Sequence, residues 1–271
     1  MFGKLMKYEM KSLSKGLIPL YGAVIVMSIL NRILWAFDMT GHGSFLSGLP
    51  QVTAMMVYSG LCVAVGVLTI MAIVQRFYKG LLCDEGYLMF TLPAKPWQLI
   101  LSKVTGATIM TILSGLVGFI SIFILASTGF SWSEFFSIDW LGGFGKLFQE
   151  VPSWPLYVVE LIVLGLIMIG SSILELYAAM ALGHLSNRRR VAMSFLWYVV
   201  ISVALTFVLG FIAWFGDATG LDYWLTQITM QWNGELLLHV AMLIALIGYI
   251  IKTAIFFVMT NTILTRKLNL E

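Results

Sequence analysis

Six long apolar segments dominate the chain and constrain its fold more than any other feature. They cover residues 16–37, 52–74, 99–127, 155–182, 191–215 and 237–264. Each supplies the roughly 20 residues that a helix needs to cross the hydrocarbon of a bilayer. The composition agrees, since 60% of the residues are hydrophobic and only 11% are charged, far from the balance of a soluble domain. The sequence predicts an all-α integral membrane protein with six transmembrane helices, organised as one domain over residues 1–271.

The basic residues indicate how these helices are oriented. Of the 16 Lys and Arg residues, thirteen fall in the N-terminal segment, after the second span, after the fourth span or in the C-terminal tail. Lys146 falls in an alternate segment, and Arg32 and Lys252 fall inside predicted spans. Because cytosolic loops are enriched in Lys and Arg, this distribution predicts a multi-pass protein of the inner or plasma membrane with both termini in the cytosol. The basic residues thus report topology, and no nucleic-acid partner is expected.

Residues 1–15 predict an amphipathic helix at the membrane surface. Its apolar residues share one helical face, and four lysines share the opposite face: Lys4, Lys7, Lys11 and Lys15. Such a helix lies in the interface, with its lysines near anionic head groups. Seven of the nine tryptophans fall on the other side of the membrane. The segments 128–154 and 216–236 are therefore predicted to be extracellular and to lie along the outer interface.

A charged segment at residues 75–103 separates the second span from the third. On a helix, its first residues divide into a polar face, formed by Arg76, Lys79 and Cys83, and an apolar face, formed by Phe77, Tyr78, Leu81 and Leu82. Gly86, Pro93 and Pro96 disfavour a continuous helix beyond this point. The pattern predicts a cytosolic amphipathic helix followed by a kinked entry into the third span.

Four ionisable residues fall inside predicted spans: Arg32, Glu160, Glu175 and Lys252. Charged side chains are costly in hydrocarbon, so they either form pairs or line a transport pathway, and the sequence leaves both roles open. Arg32 and Glu160 fall toward the outer side and could pair across helices, whereas Glu175 and Lys252 lie deeper. Glu160 and Glu175 are about 22 Å apart along one helix, which excludes joint acid–base catalysis by the two carboxylates.

The sequence contains no motif of an enzyme or of a metal site. His42, His184 and His239 fall in an outer loop, an inner loop and an outer span end, which predicts isolated interfacial histidines rather than metal ligands. The sequence at residues 143–146 lacks the glycine spacing and the Ser or Thr of a phosphate-binding loop. The chain is expected not to be an enzyme and to bind no cofactor or metal of its own.

The segment 75–103 carries a more specific pattern, which consists of Glu85-Gly86-Tyr87-Leu88, then Leu92-Pro93, then Gln98-Leu99-Ile100-Leu101-Ser102-Lys103. It resembles the sequence between the second and third spans of the permease subunits of ABC-2 type transporters, although Ser102 stands where glycine is commoner. The six spans and the amphipathic N-terminal helix fit the same family. The resemblance implies an exporter permease in which residues 75–98 form a cytosolic coupling segment.

The same resemblance implies partners and functional residues. A separate ATP-binding cassette ATPase, which would bind ATP and Mg²⁺, is expected to dock on the coupling segment. A second permease subunit, either an identical copy or a paralogue, is expected to complete the substrate path. The coupling residues that the resemblance implies are Arg76, Lys79, Asp84, Glu85 and Gly86.

Two other functions are compatible with the residues. An ion-coupled secondary carrier would use the charged residues inside the spans as coupling groups, although the chain shows no inverted repeat. A non-transporting membrane sensor or scaffold would bind a partner through the segment 75–98 without ATP-driven work. The substrate of a transporter is not specified by these features.

Overall fold

The computed structural model of the protein describes residues 2–36, 49–82, 95–126, 153–186, 189–230 and 232–266. Within these ranges the chain is helical and has no strand. The α-helices are α1 (Phe2–Ala36), α2 (Leu49–Phe77), α3 (Pro96–Ala126), α4 (Trp154–His184), α5 (Arg190–Ala218), α6 (Leu221–Thr229) and α7 (Gly234–Arg266). A π-helical turn, Tyr78–Leu82, directly continues α2 and is named the π-turn.

Six of the described helices are long and apolar enough to cross a membrane. They are α1 to α5 and α7, and the short helix α6 lies between the last two. The ends of these six helices agree with the ends of the predicted spans to within one helical turn, with two exceptions. One is the start of α1, and the other is the end of α2 when the π-turn is counted as part of it. The prediction of an all-helical chain with six helices able to cross a membrane is confirmed for the residues that the structure describes. The particular membrane and the cytosolic location of the termini stay predictions.

Helix α1 is one continuous element of 35 residues. Residues 2–15, which the sequence predicted as an interfacial helix, form its first part. At 1.5 Å per residue the helix measures about 52 Å, much longer than the roughly 30 Å of hydrocarbon in a bilayer. The four lysines of this part are all exposed, as the predicted polar face requires. Its location at the interface stays a prediction.

The chain forms two compact units. Unit 1 comprises Met1–Arg76 and Thr105–Trp154, and unit 2 comprises Phe77–Val104 and Pro155–Glu271. The core of unit 1 is formed by apolar side chains of α1, α2 and α3, including Leu13, Leu17, Val24, Val65 and Met110. The residues from α1 recur at helical spacing, so they form one buried stripe.

Hydroxyl groups also join the helices of unit 1. The Tyr21 hydroxyl lies 2.6 Å from Ser114 Oγ, and Thr69 Oγ1 lies 2.8 Å from the same oxygen. The hydroxyls of Tyr58 and Ser121 are 3.0 Å apart. Such contacts between membrane helices contribute on average about 0.6 kcal/mol each. They therefore fix which residues of the three helices face each other more than they add stability.

The second half of α4 lies in the core of unit 2. Its buried residues begin at Ser171 and end at His184, whereas the half that precedes Ser171 has no buried residue. Gly183 allows a close approach near the end of this half, because a Cβ at that position would overlap the backbone of Ser194 on α5. A Cβ at Gly165, in the other half, would meet nothing within 4 Å. Only glycine therefore allows α4 and α5 to meet as they do.

Candidate functional site

The π-turn is packed on one side and open on the other. Phe77, Leu81 and Leu82 are buried, whereas Lys79 is exposed. This division agrees with the apolar and polar faces predicted from the sequence. Turns of this type contain one residue more than an α-helical turn and are frequent at functional sites. The other predicted coupling residues, Asp84, Glu85 and Gly86, lie outside the described residues, as does Cys83.

A buried lysine supports the π-turn. Lys103 on α3 is only 4% exposed, and its Nζ lies 2.7 Å from the position that a Cβ of Gly80 would occupy. Glycine thus leaves room for the ammonium group against the backbone of the turn. In the sequence, Lys103 is one of the basic residues that report topology and the last residue of the pattern at 98–103, and neither feature predicts its contact with Gly80. The available signal was its position one turn inside an apolar span, where a lysine needs polar partners.

An aromatic contact joins the same region to α4. The rings of Phe77 and Tyr177 stack with their centres 3.9 Å apart and their planes at 15°. The Tyr177 hydroxyl donates a hydrogen bond to the Lys103 carbonyl at 3.5 Å. Phe77 and Tyr177 therefore mark the place where three segments meet: the end of α2, the start of α3 and the buried half of α4. A displacement of the π-turn would be passed to α3 and α4, because closely packed elements move together.

His184 extends this network to the start of α5. Its ring lies 6.2 Å from that of Tyr78, centre to centre, and its Nε2 lies 3.2 Å from Nη1 of Arg190. A guanidinium group can only donate, so Nε2 accepts this hydrogen bond and the ring proton lies on Nδ1. The geometry describes a neutral imidazole that connects the π-turn to α5.

Arg76 pairs with Glu9 of α1. Both residues belong to unit 1, whose first chain segment ends at Arg76. Arg76 Nε lies 2.9 Å from Glu9 Oε2, and the two side chains are 28% and 6% exposed. Glu9 is not among the residues predicted from the sequence to have a functional role. A signal was present, because Glu9 falls in the middle of the apolar face of residues 1–15, opposite the lysines. A lone carboxylate on a buried face requires a partner.

Glu175 and Lys252, the two deeper charged residues, form an ion pair. Lys252 Nζ lies 2.8 Å from Glu175 Oε2, and the Ser202 hydroxyl of α5 donates to Oε1 of the same carboxylate at 3.1 Å. The ammonium group also lies 5.9 Å from the ring centres of both Tyr249 and Phe256, within the range of cation–π attraction. The pair joins α4 to α7, and Ser202 adds α5.

Glu160 pairs with His239, a residue that was predicted to be isolated. Its Oε2 lies 2.8 Å from Nδ1 of His239, and the imidazole stacks on Tyr157 with ring centres 4.1 Å apart. The interpretation of His184 and His239 as isolated histidines is therefore wrong. The similar depth of Glu160 and His239 in the membrane could have predicted their contact. Both residues lie within the first two turns of helices that begin on the same side of the membrane. Arg32 lies on α1 in unit 1 and is partly buried.

The structure thus places the candidate residues in two kinds of arrangement. One is the packed junction around the π-turn, and the other is the two acid–base contacts between α4 and α7. Within the described part of the chain, no group of three or more His, Cys, Asp or Glu residues could hold a metal ion. Comparison of the chain with protein-family models, with curated proteins and with solved structures found no match.

Proposed function

We propose that this chain is the membrane-spanning subunit of an ATP-driven exporter of the ABC-2 type. In this proposal it forms half of a translocation path together with a second permease subunit, either an identical copy or a paralogue. A separate ATP-binding cassette ATPase, which binds ATP and Mg²⁺, docks on the segment 75–98 at the cytosolic face. The observation that carries the proposal is the packed π-turn, which leads directly into the Glu85-Gly86 pattern.

The geometry of the π-turn suits the transmission of force. Lys79 is exposed and available to a partner, while the opposite side of the turn is fixed by the Phe77–Tyr177 stack and by Lys103 against Gly80. An ATPase that closes on ATP would therefore move the end of α2 and the start of α3 as one body. A solvated loop at this position would deform under the same displacement and would not pass it to the membrane helices.

The proposal is tested by purification of the full chain from its native membrane. We expect a soluble protein with a Walker motif to co-purify, and its ATPase rate to change when the permease is added back. The variant Glu85→Arg should abolish this change and leave membrane insertion intact. Asp217→Arg provides the matched control, because it reverses an exposed acid at the opposite end of the spans.

Two outcomes would contradict the proposal and point to the other candidates. Transport by the purified chain alone, driven by an ion gradient and unaffected by ATP depletion, would support a secondary carrier. The observation in favour of that function is the Glu175–Lys252 pair with Ser202 inside the spans. A partner that binds the segment 75–98 but has no ATPase activity would support a sensor or scaffold.

A further inference from the structure

A basic pocket opens beside the start of α5, in unit 2. Its volume is about 860 Å³, and it is lined by Tyr78, Arg189, Arg190, Val191, Ala192 and Phe195. Two guanidinium groups therefore lie next to two exposed apolar side chains, since Val191 is 68% and Phe195 71% exposed. The pocket plays no part in the contacts that hold α4 to α7.

Among the residues that the structure describes, no carboxylate compensates the positive charge of the pocket. Arg189 is exposed, and Arg190 uses Nη1 to contact His184 at 3.2 Å, which leaves most of its five N–H donors available. Planar guanidinium groups bind phosphate oxygens in pairs, so the pocket is complementary to a phosphate.

The apolar residues indicate what the phosphate is attached to. Val191 and Phe195 are one turn apart on the same face of α5, a helix long and apolar enough to cross the membrane. The arginines thus lie at the end of the span, at the level of lipid head groups, and the apolar residues begin at the level of the acyl chains. A free phosphate, or an acidic surface of a soluble protein, would leave Val191 and Phe195 uncovered.

We propose that this pocket binds an anionic phospholipid. Arg189 and Arg190 hold its phosphate, and one acyl chain lies along Val191 and Phe195. Basic pockets at the ends of membrane helices bind anionic head groups in this way. Because Tyr78 belongs to the π-turn, the bound lipid contacts both this turn and α5. The binding site requires only that α5 spans the membrane, so it does not depend on the exporter function.

The test uses the full chain, stripped of lipid in detergent and titrated with phosphatidylglycerol or with phosphatidylcholine of the same acyl chains. Native mass spectrometry counts the lipids that each protein retains. The main variant is Arg189→Asn with Arg190→Gln. Arg189 has the left-handed angles φ 53 and ψ 51, which asparagine tolerates, so the backbone is preserved. The control, Lys95→Gln, removes an exposed charge that does not line the pocket.

We expect the wild type and the lysine control to retain phosphatidylglycerol in preference to phosphatidylcholine. The double arginine variant should lose affinity for phosphatidylglycerol by about 30-fold, from the contribution of two basic residues at a membrane surface. Arg189→Asn alone keeps the contact to His184 and should lose about fivefold. If the double variant unfolds, the affinity of the single variant Arg189→Asn for phosphatidylglycerol still tests the proposal. Phe195→Gln should weaken the binding of phosphatidylglycerol but not of glycerol phosphate.

Several results would overturn the proposal. One is retention of phosphatidylglycerol by the arginine variants at the level of the wild type. Another is an equal loss in the lysine control, which would indicate general charge attraction instead of a site. Binding of inorganic phosphate as tight as that of the lipid would remove the role of Val191 and Phe195. Capture of an acidic protein through the two arginines, with no effect of phosphatidylglycerol, would assign the pocket to a protein partner.

Discussion

Removal of Lys252 should destabilise the chain far more than removal of the whole Glu175–Lys252 pair. The Glu175 side chain is 9% exposed, and its two oxygens contact Lys252 at 2.8 Å and Ser202 at 3.1 Å. In Lys252→Met, the carboxylate keeps only a neutral hydroxyl as partner. Loss of one member of a buried ion pair costs about 3–5 kcal/mol, because the remaining charge is left uncompensated.

The variant that replaces both residues, Glu175→Gln with Lys252→Met, should lie within about 1 kcal/mol of the wild type. Neither charge remains in it, and uncharged replacements of a buried pair are often neutral. Glu175→Gln alone should fall between the two, because the Lys252 side chain is 23% exposed and can bend its flexible stem toward water. The expected order of the free energy of unfolding is therefore wild type and double variant, then Glu175→Gln, then Lys252→Met.

The assay is unfolding of the full chain by SDS in mixed micelles, measured for the four proteins of this cycle. The difference between the double variant and the sum of the single variants gives the coupling energy, which we expect to be about 3 kcal/mol or more. Lys15→Met removes an exposed lysine of α1 and should leave the free energy of unfolding unchanged. If the double variant loses as much as both single variants together, the two charges do not interact and this reasoning is refuted.

Two further predictions concern a close helix contact and the second charge pair. Gly183→Ala should cost about 1–3 kcal/mol or more, because its Cβ would overlap the Ser194 backbone, whereas Gly165→Ala should be neutral or stabilise α4 by up to about 1 kcal/mol. Melting temperatures in detergent compare them, and equal losses would contradict the close contact. His239→Phe keeps a ring that can stack on Tyr157 but loses the bond to Glu160, so it should cost about 1–3 kcal/mol. The same unfolding assay should show a smaller cost in a Glu160→Gln background, and an unchanged cost would mean that the 2.8 Å contact contributes nothing.

The spans could be predicted because a run of apolar residues marks a membrane helix before any tertiary contact is known. The predicted span 155–182 and helix α4, Trp154–His184, nearly coincide for this reason. The start of α1 was less predictable. The lysine pattern separates residues 1–15 from the apolar run, but no residue ends the helix there, and even Pro19 lies within it.

The partners of the charged residues depend on how the helices are placed side by side, which the sequence does not state. Glu175 and Lys252 could be identified as costly and, by their similar depth, as a possible pair, yet nothing in the sequence decided between a pair and a pathway or predicted the contact to Ser202. Glu160 had two possible partners at similar depth, Arg32 and His239, and the contact in the structure is with His239. The same difficulty applies to glycines. Gly165 and Gly183 cannot be distinguished in the sequence, because only the position of the neighbouring helix shows which of them makes a close contact.

The two acid–base contacts between α4 and α7 determine how these helices can be displaced. Along α4 the acids Glu160 and Glu175 are about 22 Å apart, and along α7 the bases His239 and Lys252 are about 20 Å apart. If α4 moved along α7 by one turn, both contacts would break. Because the spacing of the acids on α4 differs from the spacing of the bases on α7, both contacts could not form again in a second register. The two helices therefore move as one rigid body, and any conformational change of unit 2 must carry them together while its other elements rearrange around them.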